Sequence, residues 1–183
     1  MQSLQISDVK DFMNKLLVSD AFDAFLLSEA SLTTFTTFHI DGSFHRDYFS
    51  FSDEFHTDGS DTADRSETTV AASAQAPQNP SWKMVKPLLF GLIRGKNTPL
   101  HFKIVFRLAD YNVEKLLVQS GVSLQAADVN GLFLNIVYNG KEVSCITGTS
   151  LRLFTLDKTL EHSWDEMVHR FLRQKGIVST HSS

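Results

Sequence analysis

The sequence predicts an α+β fold in which an antiparallel sheet carries helices on one face. Residues 132–138 place apolar side chains at every second position up to Asn139 and Gly140, a dipeptide that favours a tight hairpin. Residues 100–108 alternate apolar and polar side chains in the same way, as a half-buried strand does. Residues 9–17 instead repeat apolar side chains with the period of a helix.

The N-terminal part is predicted to hold one strand, one helix and two further strands. Residues 4–6 form the first strand. In residues 9–17 the apolar positions follow i, i+3, i+4, i+7 and i+8, which is the spacing of one helix face. Residues 25–32 and 35–44 are predicted as two strands, the second passing through a turn at its Asp-Gly pair.

The composition changes between residues 50 and 80. This stretch holds six acidic residues, one basic residue and many Ser and Thr. Such a composition buries too little apolar surface to support a fold of its own. We therefore predict one domain, residues 1–183, with a flexible acidic insertion at 50–80.

Two further helices are expected after the insertion. Residues 82–85 are predicted as a short edge strand, and Pro87 suits the first turn of a helix ended by Gly95. Asp110 is expected to cap the next helix, which Gly121 ends.

The last third is predicted as three short strands joined by tight turns, followed by a terminal helix. Residues 143–147 leave the hairpin, a glycine breaks the run, and residues 151–155 resume it. Ser163 and Glu166 have the spacing of a capping box, and Gly176 closes the helix.

The order of elements suggests an internal duplication. Residues 15–18 and 115–118 share the sequence KLLV at the end of a predicted helix. Each is followed by strands, a break and another helix. We therefore expect two similar β-α-β-β halves, residues 1–108 and 109–176.

Charge is distributed unevenly along the chain. Residues 1–80 hold four basic and thirteen acidic residues (net −9), whereas residues 81–183 hold thirteen basic and eight acidic ones (net +5). Halves of opposite charge attract each other within a fold, which is the favoured interpretation. The alternative is a basic surface that meets an acidic partner.

The sequence predicts a cytoplasmic protein with no membrane segment and no cofactor. Its one cysteine, Cys145, excludes an internal disulfide and is typical of a reducing compartment. Residues 1–8 lack the basic start and apolar run of a signal peptide. No run approaches the ~20 apolar residues of a membrane span.

Five stretches resemble a bacterial family of unknown function. They are residues 8–13 (DVKDFM), 128–135 (DVNGLFLN), 147–150 (TGTS), 154–158 (FTLDK) and 160–167 (LEHSWDEM). The resemblance covers nearly the whole chain except the acidic insertion. It implies a cytoplasmic protein of Gram-positive, Firmicutes-type bacteria, and it implies no particular activity.

A second resemblance is architectural. The predicted succession of strand, helix, strands and helix, given twice, looks like the building block of DNA sliding clamps. Residues 143–153 (VSCITGTSLRL) are similar to the strand-turn-strand that precedes a helix in such clamps. The resemblance implies a clamp-like fold without implying clamp function, because a ring needs more than 183 residues.

The candidate interaction surface has a basic part and an aromatic part. The basic part is expected on two helices and the loop after the first of them, and comprises Lys83, Lys86, Arg94, Lys96, Arg170, Arg173 and Lys175. The aromatic part alternates with acidic residues and comprises Tyr48, Phe49 and Phe51. Solvated helix faces and packing on the protein's own domain are the favoured alternatives.

No catalytic set is predicted. Cys145 lies in mid-strand and is expected to be a buried structural residue. His162, Asp165 and His169 raise the possibility of an acid–base or metal cluster, but a metal site needs about three or four convergent ligands.

The favoured function is a non-enzymatic binding module with an unknown protein partner or with itself. The first alternative is a nucleic-acid-associated, clamp-like protein that uses the basic helices. The second alternative is a small metal-dependent hydrolase built around the histidine cluster.

Overall fold

The structure is a computed structural model that describes residues 1–45, 48, 78–94 and 97–181. Within these residues there are seven strands and four α-helices. Strands β1 to β7 are Ser3–Ile6, Leu26–Thr33, Thr37–Ile40, His101–Arg107, Val129–Tyr138, Val143–Leu151 and Ser179–His181. Helices α1 to α4 are Val9–Leu17, Trp82–Ile93, Asp110–Ser120 and Thr159–Gln174, and a 3-10 turn, Ala126–Asp128, precedes β5. The predicted α+β class is confirmed.

All seven strands form one antiparallel sheet in the order β3-β2-β4-β5-β6-β1-β7. The hairpin of β5 and β6 carries the longest register, from Val129 opposite Leu151 to Tyr138 opposite Val143. The N-terminal strand β1 then lies between β6 and β7, with Leu4 opposite Cys145. The two ends of the chain are therefore joined at one side of the sheet.

One face of the sheet carries the core and all four helices. Alternate side chains of the strands are buried together with residues from every helix in one apolar cluster. Phe106 of β4 lies 5.0 Å from Trp82 of α2 and 5.7 Å from Phe22, measured between ring centroids. Phe22 in turn contacts Phe12 of α1 and Phe171 of α4. The expected placement of helices on one face is thus confirmed.

The hairpin at Asn139 and Gly140 is present, but its loop is longer than the predicted two residues. β5 ends at Tyr138 and β6 begins at Val143. Gly140 adopts a φ of +94°, which favours glycine. The Asn139 side chain accepts hydrogen bonds from the backbone amides of Lys141 and Glu142 at 3.0 and 2.8 Å.

The prediction of a short edge strand at residues 82–85 is wrong. These residues begin α2, and strand-like pairing is confined to a single bridge between Leu26 and Ser81. Pro87 consequently lies in the second turn of the helix. Its missing N–H leaves the carbonyl of Lys83 without an intrahelical partner, and both residues are on the solvent side, where water can satisfy that group.

Three details of the later elements also differ from the prediction. No third strand forms at 151–155, because β6 continues through the glycine to Leu151 and a loop follows. Helix α4 begins at Thr159 rather than at Ser163, and Asp157 accepts the exposed amide of Thr159 at 2.8 Å. Asp110 is the first residue of α3 and forms an ion pair with Arg107 instead of capping the helix.

The acidic insertion at 50–80 lies outside the described residues except for 78–80. The division into halves at 108 and 109 stays a prediction. Helices α1 and α3 are each followed by two antiparallel strands, but β1 pairs with β6 and β7 whereas β4 pairs with β2 and β5. None of the helices in the described ranges is long and apolar enough to cross a bilayer.

Candidate functional site

The predicted basic residues of α2 have different environments. Lys83 and Arg94 are exposed, one near each end of the helix. Lys86 faces the protein, where its ammonium donates to the Asp23 carboxylate at 2.6 Å and to the Ser19 carbonyl at 2.7 Å. Lys86 therefore ties α2 to the segment after α1 and is not a free surface cation, while Lys96 lies outside the described residues.

The other predicted interaction residues lie on α4 or in the acidic-aromatic segment. Arg170, Arg173 and Lys175 are exposed at the C-terminal end of α4. Tyr48 is exposed, whereas Phe49 and Phe51 lie outside the residues that the structure describes. The two basic helices do not contribute to one common cleft, because only Arg170 and Arg173 line the polar cleft described below.

The outer face of α2 is apolar. Met84, Leu88 and Gly91 follow one another at i, i+4 and i+7, so they share one exposed stripe of the helix. Met84 is 47% exposed and Leu88 is 65% exposed. Leu92, 38% exposed, borders this stripe, and Phe90, 39% exposed, lies beyond the exposed Lys83 and Arg94. We call the five residues Met84, Leu88, Phe90, Gly91 and Leu92 the α2 outer face.

The composition of α2 explains this surface. Trp82, Val85 and Leu89 already fill the inner side of the helix and are buried in the core. The remaining positions carry apolar residues as well, apart from the lysines and Pro87. A helix that carries apolar side chains on exposed positions beyond its core-facing side offers them as a contact surface for another protein. This signal was available in the sequence, but it does not by itself distinguish the two faces.

A polar cleft of about 430 Å³ runs along the exposed side of α4. Side chains of α4 form one wall, and residues of β7 and the segment leading into β1 form the other. The lining residues are Gln2, His162, Asp165, Glu166, His169, Arg170, Arg173 and His181. The imidazole rings of His169 and His181 are parallel within 5°, with centroids 6.0 Å apart. Two separate elements therefore contribute histidines to the same cleft.

One end of the cleft is held by a hydrogen-bond network around Asp165. The buried hydroxyl of Thr147 donates to Asp165 at 2.5 Å and accepts the backbone amide of Gln2 at 2.7 Å. The Met1 ammonium also donates to Asp165, at 3.3 Å, and forms a second ion pair with Glu161. The hydrogen bond from the ammonium lowers the pKa of Glu161. The Asp165 carboxylate is thus already occupied by protein donors.

The proposed histidine cluster is only partly assembled. His162, Asp165 and His169 all line the cleft. No group of three His, Cys, Asp or Glu side chains within the described ranges is arranged to hold one metal ion. Cys145 is fully buried in β6, as expected, and burial raises the pKa of its thiol to about 12. The thiolate that nucleophilic catalysis requires is therefore strongly disfavoured.

Comparison with known proteins identifies a family and no activity. The model of a family of unknown function, DUF5721, matches residues 15–179 of the 183 residues. Neither the curated proteins nor the solved structures contain a significant match. The match covers the core strands, α2 to α4 and most of the cleft. The chain therefore belongs to the family of unknown function DUF5721.

Proposed function

We propose that this protein is a non-enzymatic interaction module and that the α2 outer face is its binding surface. The observation that carries the proposal is the exposure of Met84, Leu88, Phe90 and Leu92 on a helix whose inner side is fully packed. Contiguous exposed apolar side chains on a folded domain are typical of protein–protein contact sites. Gly91 adds to this, because a Cβ at this position would meet no atom within 4 Å.

The charges around the α2 outer face indicate the chemistry of the partner. Lys83 and Arg94 are exposed on the same flank of the helix, on either side of Phe90. Residues 68–109 contain six basic residues and no acidic one. We therefore infer a protein partner that presents an apolar stripe bordered by carboxylates, because interfaces combine an apolar centre with a complementary charged rim.

A second copy of this chain fits the surface less well. Pairing two α2 helices antiparallel about their centre brings Lys83 of one copy near Arg94 of the other. Parallel pairing brings each of these cations near its own equivalent. Both arrangements oppose like charges, which disfavours the association. An acidic partner relieves the same charges instead.

The binding proposal is tested with a defined peptide rather than with an unidentified protein. The probe is a fluorescent helical peptide with leucines on one face and glutamates beside them, and its affinity is measured by fluorescence anisotropy. Replacing Leu88 with Glu is expected to weaken binding at least about tenfold, because it places a carboxylate in an apolar contact facing acidic groups. Gly91→Gln should also weaken binding, since it fills open space without disturbing the core.

Val118→Glu is the matched control. Val118 is 82% exposed on α3, compared with 65% for Leu88, so this substitution adds the same charge at an apolar side chain that is also largely exposed. Equal affinity of the wild type, Leu88→Glu and Gly91→Gln proteins would refute the proposal. Tighter binding of a peptide with lysines in place of the glutamates would refute the acidic partner. Sedimentation that shows a dimer dissociated by Leu88→Glu would assign the surface to a second copy instead.

A further inference from the structure

We propose that the cleft along α4 is a second, independent site, which binds a small soluble phosphate ester. The phosphate would be held at the end of the cleft formed by His169, Arg170, Arg173 and His181. Arginine and histidine nitrogens are the donors that recognise phosphate oxygens, with arginine offering two parallel hydrogen bonds. The cleft volume of about 430 Å³ is within the range of small-molecule sites.

The donors converge from two elements rather than lying along one solvated helix. His169, Arg170 and Arg173 project from the last turns of α4, whereas His181 belongs to β7 at the edge of the sheet. The rings of His169 and His181 are parallel and 6.0 Å apart, so the two elements meet at the cleft. Neither Arg170 nor Arg173 forms an ion pair within 4.0 Å among the described residues, so both guanidinium groups have donors available.

Of the two carboxylates that line the cleft, Asp165 is separated from this end. Asp165 is bound by the Thr147 hydroxyl and the Met1 ammonium, which leaves Glu166 as the second lining carboxylate. Asp165 and Arg173 are eight residues apart on α4, or about 12 Å along the helix axis. Glu166 lies one helical turn from Arg170 and is the carboxylate left to accept a hydroxyl of the ester's organic part. This division of charge favours a polar phosphate ester over a simple anion.

Calorimetric titration tests the site. The probes are inorganic phosphate, glycerol phosphate and vesicles containing phosphatidic acid. Glycerol phosphate is expected to bind more tightly than inorganic phosphate, and Arg173→Gln is expected to weaken it about tenfold or more, as loss of a charge-assisted hydrogen bond does. Lys175→Gln is the matched control, because Lys175 is an exposed cation at the same helix end that does not line the cleft.

Several outcomes would overturn this inference. Absence of phosphate ester binding would show that no specific site exists. An equal loss of affinity in Arg173→Gln and Lys175→Gln would show the same. Binding to the vesicles alone would assign the cleft to a lipid headgroup. Leu88→Glu should leave phosphate binding unchanged, so the cleft proposal and the α2 outer face proposal can be refuted independently of each other.

Discussion

Replacing Trp82 with Ala is expected to lower the free energy of unfolding by about 3–5 kcal/mol, the usual cost of removing a large buried aromatic side chain. Trp82 is fully buried at the start of α2 and packs edge-on against Phe106 of the central strand β4. Its indole N–H donates to the carbonyl of Leu16 at 2.8 Å, near the C-terminal end of α1, where carbonyls lack intrahelical partners. One side chain thus joins α1, α2 and the sheet.

Urea denaturation followed by circular dichroism measures this effect, because it does not depend on tryptophan fluorescence. Trp82→Phe is the matched control, since it keeps an aromatic ring and removes the indole donor. We expect a loss of about 1–3 kcal/mol for Trp82→Phe, the cost of leaving a buried acceptor without its partner. A Trp82→Ala protein as stable as Trp82→Phe would contradict the proposed packing role.

Replacing Gly42 with Ala is expected to destabilise the protein by more than about 2 kcal/mol, because a left-handed backbone conformation and a steric clash act together. Gly42 has a φ of +68°, and a Cβ there would lie 2.2 Å from the Ser28 carbonyl oxygen. The carbonyl of Gly42 accepts the Asn79 amide at 3.0 Å, so this turn also joins the two ends of the segment that carries the predicted insertion.

Gly121→Ala separates the two causes. Gly121 ends α3 with nearly the same φ, +66°, but a Cβ there would meet no atom within 4 Å. This substitution should cost only about 1–2 kcal/mol, the backbone contribution alone. Thermal unfolding of both variants measures the difference. An equal loss of stability in Gly42→Ala and Gly121→Ala would show that the close approach between Gly42 and β2 does not constrain the fold.

The sequence predicts elements well where the signal is local. The apolar alternation of residues 100–108 and 132–138 reflects burial of one sheet face, and both became central strands. The helix ends at Gly121 and Gly176 follow from the sequence because helices often end with a residue of positive φ, and glycine adopts that conformation most readily. The α+β class followed from these signals.

The predictions fail where contacts between residues far apart in the sequence determine the local structure. Residues 82–85 are helical because Trp82 contacts α1 and β4, and neither contact is visible in local periodicity. The position of β1 between β6 and β7 similarly depends on pairing between the two ends of the chain. Ser163 and Glu166 have the spacing of a capping box, but α4 begins four residues earlier, at Thr159, because Leu160 is buried in the core.

The candidate sites show the same limit. The charges of Lys83, Lys86 and Arg94 were visible in the sequence, but only the structure separates the ion-paired Lys86 from the exposed pair. The sequence alone does not reveal the α2 outer face, because apolar residues of a helix most often belong to the core. The cleft was only partly anticipated, since His181 reaches it from a different element than His169.

Methyl NMR of the protein with the acidic amphipathic peptide tests the central claim most directly. The methyl groups of Met84, Leu88 and Leu92 report on the α2 outer face, and those of Val118 and Leu156 report on exposed apolar sites elsewhere. The structure predicts that addition of the peptide shifts the first three resonances and leaves the other two unchanged. Shifts confined to Val118 or Leu156, or no shifts at all, would contradict the assignment of the α2 outer face as the binding surface.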